Sequence, residues 1–132
     1  MPTVNEATTV DLKIIYTLKA DGWKEGDTLL YQQEYQLTSE QQKEFPGIYS
    51  IKPDIVLQDL NNNVVAVIEN KLEDEKKALQ KLRILYAAIL KPRFLYACSK
   101  ERILFLDTNW KGEDAEFKQV NSFMSLGACP RI

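Results

Sequence analysis

Asp54, Glu69 and Lys71 are the side chains whose types and spacing best suit chemistry in this chain. Asp54 sits in Lys52-Pro53-Asp54-Ile55-Val56-Leu57, and Glu69-Asn70-Lys71 begins fifteen residues later, at the end of an apolar run. Two carboxylates held close together repel, and one resists ionising unless positive charge intervenes. Magnesium meets that need: it is a hard cation, prefers oxygen, and is commonly held by one or two carboxylates with waters completing its shell. Such an ion can make a nucleophile of water and stabilise charge on a phosphoryl oxygen. Lys71 would then contact the scissile phosphate or orient the attacking water. The plainer reading is a hairpin with a cross-strand Glu–Lys salt bridge and a turn-initiating Pro-Asp. The surrounding elements favour the metal site.

Those elements must bring the three residues together. Ile55 to Asp59 and Val64 to Ile68 are apolar and β-branched, of strand length. Leu60-Asn61-Asn62-Asn63 between them is a turn composition that tolerates positive φ. A four-residue loop at 60–63 sets Asp59 opposite Val64, and stepping outward pair by pair brings Asp54 opposite Glu69. Directly opposed residues share a face, with Cβ atoms roughly 4.5–5.5 Å apart. Lys71, two residues beyond Glu69, points to that face as well. A one-residue slip would separate the group, so the register carries the argument.

The rest of the chain reads as layers around this hairpin. Val10, Leu12, Ile14, Ile15 and Leu18 predict an amphipathic helix over 7–20, ending near Asp21-Gly22. Thr28 to Leu37 predicts one strand with Leu30, Gln32, Glu34 and Gln36 on one face. Ser39 to Lys43 predicts a helical turn broken by Phe45-Pro46-Gly47. Ala78, Leu82, Leu85 and Ile89 predict a helix over 73–90. Phe94 to Ala97 and Ile103 to Leu106 predict two short strands. In the tail, Phe117, Val120, Phe123 and Met124 are expected to pack back. The order helix, three strands, helix, two strands implies a small mixed sheet flanked by helices, with a parallel crossover from the third strand to the fourth.

Composition frames these expectations. A chain of 132 residues, 45% hydrophobic and 27% charged, makes one globular domain. No apolar run reaches the roughly 18–20 residues that span a bilayer, and the polar start shows no signal-peptide pattern. Two cysteines, Cys98 and Cys129, are too few for a disulfide framework and suggest reduced thiols in a cytoplasmic protein. The absence of histidine removes Ser-His-Asp, Cys-His and zinc-histidine sites. A net charge of −2 argues against strong nucleic-acid binding by this chain alone. Yet Lys71, Lys76, Lys77, Lys81, Arg83, Lys91, Arg93, Lys100 and Arg102 follow the motif, and are expected near the site unless they simply solvate a helix face.

The ordered set of these segments resembles the PD-(D/E)xK nuclease superfamily, and within it the amino-terminal nuclease domain of the R subunit of type I restriction-modification enzymes. Lys52-Pro53-Asp54-Ile55-Val56-Leu57 and Val67-Ile68-Glu69-Asn70-Lys71 carry the core motif. Glu6-Ala7-Thr8-Thr9 with Asp21-Gly22-Trp23 is similar to the opening helix, and Ala78-Leu79-Gln80 with Tyr86-Ala87 to the helix after the motif. Phe94-Leu95-Tyr96-Ala97, Ile103-Leu104-Phe105-Leu106-Asp107 and Val120-Asn121-Ser122-Phe123 resemble the segments that close the domain.

The resemblance implies a restriction-endonuclease-like α/β core and magnesium-dependent endonucleolytic cleavage of double-stranded DNA. It implies Asp54 and Glu69 as metal ligands, with the backbone carbonyl of Asn70 a third, manganese as a substitute ion, and Lys71 as the catalytic lysine. Glu6 enters as an accessory carboxylate or as a helix-capping acid. The family's Gln-x-x-x-Tyr pattern is not kept: Gln80 and Tyr86 are six apart, on different faces of an α-helix at ~100° per residue. Gln80 is therefore carried over as a residue facing the phosphate backbone or merely packing, and Tyr86 as core. No Gly-x-x-x-x-Gly-Lys-Ser/Thr loop is present, so no ATP site of that kind is expected. The implied partners are duplex DNA, the motor domains of a longer R subunit, and the modification and specificity subunits. Two other classes stay open: a catalytically silent docking module on the same fold, and a repair or resolvase-like nuclease.

Overall fold

The computed structural model describes residues 6–70, 81–98, 103–108, 118–120 and 123, without the side chains of 6–11, 70, 81–83, 118 and 119. Its centre is a six-stranded mixed sheet in the order β1-β4-β5-β6-β7-β8. The strands are β1 (Leu29–Tyr31), β4 (Ile55–Gln58), β5 (Val64–Asn70), β6 (Phe94–Cys98), β7 (Ile103–Asp107) and β8 (Lys118–Val120). Only β5 and β6 run parallel; the other neighbours are antiparallel. The expected crossover after the motif hairpin is therefore present.

Each face of the sheet buries one apolar cluster. On the first, Ile55, Leu57, Ala66, Ile68, Phe94 and Tyr96 pack with Ile14, Ile15, Leu18 and Trp23. Three of these come from α1 (Glu6–Ala20), whose spacing produces the stripe. Leu12, expected in that stripe, is exposed. The helix ends where Gly22 takes φ 102°, a conformation natural to glycine, and Trp23 N–H returns to the Leu18 carbonyl. Phe123 joins this cluster edge-on to Tyr96, 5.1 Å between ring centroids. Val120 also packs here, on β8, a strand the sequence pattern did not predict. Phe117 and Met124 lie outside the described residues.

On the second face, Val56, Val67, Leu95, Ala97, Leu104 and Leu106 meet Leu37, Ile51 and Tyr86. Two elements cover them. One is a small hairpin of β2 (Tyr35–Gln36) with β3 (Ser50–Ile51), linked through α2 (Ser39–Glu44). Thr38 opens α2 with a capping box to Gln41. The other is helical: a π-helical turn over Lys81–Tyr86 running into α3 (Ala87–Leu90). The first part of the helix expected over 73–90 lies outside the described residues.

The single strand expected over 28–37 is instead two strands in two sheets. Leu29 pairs with Leu57 and Tyr31 with Ile55; after a gap, Tyr35 pairs with Ile51 and Gln36 with Ser50. The gap falls at Gln32, which has φ 51°, and at Pro53, which has no N–H to give a ladder. Of the four residues expected on one face, Leu30 lies in the sheet, Gln36 in the hairpin, and Gln32 and Glu34 in the gap between them.

Candidate metal-binding site

The β4–β5 hairpin reaches the expected register by a different route. Asp59 N–H bonds the Asn63 carbonyl, leaving three residues in the loop rather than four. Asp59 Oδ1 accepts from Asn61 N–H and Asn63 N–H at 2.8 and 2.9 Å, and Asn62 takes φ 64°. These bonds, led by that from Asn63, hold the Asp59 carboxyl below its ordinary pKa. Gln58 then pairs with Val64, but Leu57 pairs with Ala66. Val65 is the extra residue of a β-bulge, buried on the first face beside Ala66. The shorter loop and the bulge offset each other, so Ile55 stands opposite Ile68 and the next pair outward is Asp54 with Glu69.

A hydrogen bond agrees with that pairing: Asp54 N–H donates to Glu69 Oε2 at 3.1 Å. Glu69 is 1% exposed, near the end of β5. It shares the second face with Val67, and its neighbour in β6 is Ala97, the smallest side chain of that strand. Asp54 is half-buried, and its carbonyl accepts Gln32 N–H at 2.9 Å. Gln32, just after β1, thus holds the Asp54 backbone from one side and Glu69 from the other.

Tyr86 completes the described site. It is 1% exposed, as a core residue should be. Burial raises its phenol pKa, and the negative charges of Glu69 and Asp54 raise it further. The face argument used for Gln80 and Tyr86 assumed α-helical periodicity. Tyr86 closes a π-helical turn, where i→i+5 bonds add a residue per turn and re-aim side chains. No residue pattern in the sequence marked that turn.

The other expected site residues are placed as follows. Asn70 ends β5 beside Cys98, and its backbone is where a carbonyl ligand was expected. Lys71 and Gln80 lie outside the described residues. Glu6 is the first residue of α1, the helix that covers the face opposite Glu69. Among the basic residues expected near the site, Arg93 is elsewhere. Phe94 pairs with Ala66, so Arg93 is about 13 Å along the sheet from Glu69 at ~3.3 Å per residue. Arg93 faces Asp107 at 3.8 Å and lies over the Phe94 ring.

The donor set suits a hard divalent ion: carboxylate oxygens with a backbone carbonyl next in the chain. Among the described residues no group of three or more histidine, cysteine or acidic side chains converges. Comparison with models of protein families, with curated proteins and with solved structures matches nothing. Among the described residues no helix is long and apolar enough to cross a membrane.

Proposed function

We propose that this chain is a magnesium-dependent endonuclease domain acting on double-stranded DNA, the cleavage module of a type I restriction R subunit. What carries the reading is the meeting of Asp54 with a buried Glu69 at the end of a central strand, linked by a backbone hydrogen bond. A carboxylate so deeply buried has a high desolvation cost, and sites that bind ions are where such costs are met.

In this reading Asp54 and Glu69 hold the ion, with the Asn70 carbonyl beside them. Magnesium bound there would supply a Lewis acid and a lowered pKa for water. Asp54 N–H orients the Glu69 carboxylate before substrate arrives. Tyr86 is buried in the cluster on the face that Glu69 shares. Lys71 contacts the scissile phosphate or orients the attacking water. ATP-driven translocation and sequence recognition belong to other domains and subunits.

The expected test result is loss of duplex cleavage in Asp54→Ala, Glu69→Ala and Lys71→Ala, each with circular dichroism unchanged. Retained cleavage in any of them would remove that residue from its role. The net charge of −2 favours one second reading, a silent docking module that relies on partners to hold DNA. Unchanged function of the Asp54→Ala protein in its assembly would select it.

A further inference from the structure

The segment 33–52, which carries β2, α2 and β3, is bonded only to itself. Its main chain closes on itself through the β2–β3 pairs and through Leu37 N–H to the Tyr49 carbonyl, Phe45 N–H to the Gln41 carbonyl and Ile48 N–H to the Phe45 carbonyl. Its side chains do the same: Thr38 and Gln41 cap each other, Gln42 Nε2 donates to the Leu37 carbonyl, and Gln36 Nε2 donates to Glu34. Among the described residues no hydrogen bond or ion pair joins this segment to the rest of the chain. What holds it down is apolar. Leu37 and Ile51 are buried in the second cluster, and Tyr35, Phe45 and Ile48 pack against it. Such contact is non-directional, so parting it breaks no specific bond.

The two strands that attach the segment are interrupted at the same level. On the sheet side Gln58 N–H bonds the Thr28 carbonyl and Gln32 N–H bonds the Asp54 carbonyl; on the hairpin side the next bond is Leu37 with Tyr49. In an unbroken antiparallel ladder every second pair exchanges bonds, so even-numbered residues would continue to bond. The phase changes instead, and no main-chain bond joins 33 or 34 to 52 or 53. Gln32 sits at φ 51°, and Pro53 has no N–H to give. A few residues at the ends of elements, free of ladder bonds, are what a hinge requires. The closed position also carries a cost. Tyr35 Oη is buried and has no hydrogen-bond partner. A hydroxyl left so is destabilising, and water would satisfy it once the segment lifted.

We propose that 33–52 is a lid, opening as one unit about Gln32 and Pro53 while the six-stranded sheet stays folded. Opening uncovers part of the second face, the face that Glu69 shares, and leaves the Asp54 backbone held in the sheet by Gln32 N–H. Such a motion needs neither metal nor DNA, so it does not rest on the nuclease reading.

The test is amide hydrogen exchange of the full chain, read residue by residue by NMR without denaturant. Leu37 and Ile48, whose N–H groups bond within the lid, should share one opening constant and exchange at least about tenfold faster than Val67 in β5. Ile14→Val, in the cluster on the other face, should speed Val67 by about 2–10-fold and leave Leu37 and Ile48 unchanged, because it weakens the whole fold and not the lid's closure. Tyr35→Phe, which removes the orphaned hydroxyl, should slow Leu37 and Ile48 together by about fivefold or more. One common rate for Leu37, Ile48 and Val67, or acceleration of all three in Ile14→Val, would show that the segment opens only with the whole domain and would overturn the lid. Leu37 and Ile48 shifted by different factors in Tyr35→Phe, or exchange unchanged or faster in that variant, would overturn it as well.

Discussion

Removing Val65 should leave the proposed metal site intact, whereas adding one residue after Ile68 should destroy it. Val65 is the surplus residue of the bulge, and its neighbours Val64 and Ala66 already have partners in Gln58 and Leu57. Deleting it closes the ladder without moving any pair beyond it, so Asp54 still faces Glu69. The loss is the burial of one valine, 1% exposed, worth roughly 1.5–3 kcal/mol. A domain stable by about 5–15 kcal/mol survives that. Inserting alanine between Ile68 and Glu69 instead puts the alanine opposite Asp54. Glu69 is then turned to the face of Ile55, Ile68 and Tyr96, where an unpaired carboxylate costs several kcal/mol. Urea unfolding gives the stabilities and Mn²⁺ titration the site. The deletion variant should unfold at a modestly lower midpoint and bind Mn²⁺ as wild type does. The insertion variant should be severely destabilised and bind none. A folded deletion variant without Mn²⁺ binding, or an insertion variant that binds normally, would refute the register argument.

Three further outcomes follow from single residues. Tyr86→Ala should cost about 3–5 kcal/mol, because a fully buried ring leaves a cavity, while Tyr86→Phe should stay within about 1.5 kcal/mol of wild type; a loss below about 1 kcal/mol in the alanine variant would contradict the packing described. Gln32→Gly and Lys91→Gly, at φ 51° and 50°, should each raise thermal stability by about 0.5–1 kcal/mol, the left-handed strain relieved less the entropy of glycine; a lowered melting temperature would count against strain there. Asp59 has a lowered folded-state pKa, so its turn contributes stability above the unfolded carboxyl pKa and loses it as pH falls through the folded value. The stability gap between wild type and Asp59→Ala should therefore be present at neutral pH and close in acid; a gap that widens below pH 4 would reverse that sign.

What could be read from the sequence was what depends on local pattern. Ile14, Ile15 and Leu18 at helical spacing gave the helix, Val64 to Ile68 the central strand, and Phe94 to Ala97 the parallel strand after it. The opposition of Asp54 and Glu69 was also legible, although through the wrong loop length. A bulge and a shorter turn leave the same register, and β-branched residues do not show which one is unpaired. The break in the strand over 28–37 was not legible, because glutamine carries no mark of positive φ and Pro53 acts from the partner segment. Tyr86 was assigned to the core correctly, but the π-helical turn that it closes is hidden from α-helical spacing. The position of Arg93 could be settled only once Phe94 was known to pair with Ala66.

Calorimetric titration of Mn²⁺ into the intact chain and into Asp54→Ala tests the central claim most directly. It reads the site itself and does not require a chain of net charge −2 to hold DNA unaided. The account predicts saturable binding to the intact chain that is lost in the variant, with both proteins folded. No binding to the intact chain, or equal binding to both, would contradict it.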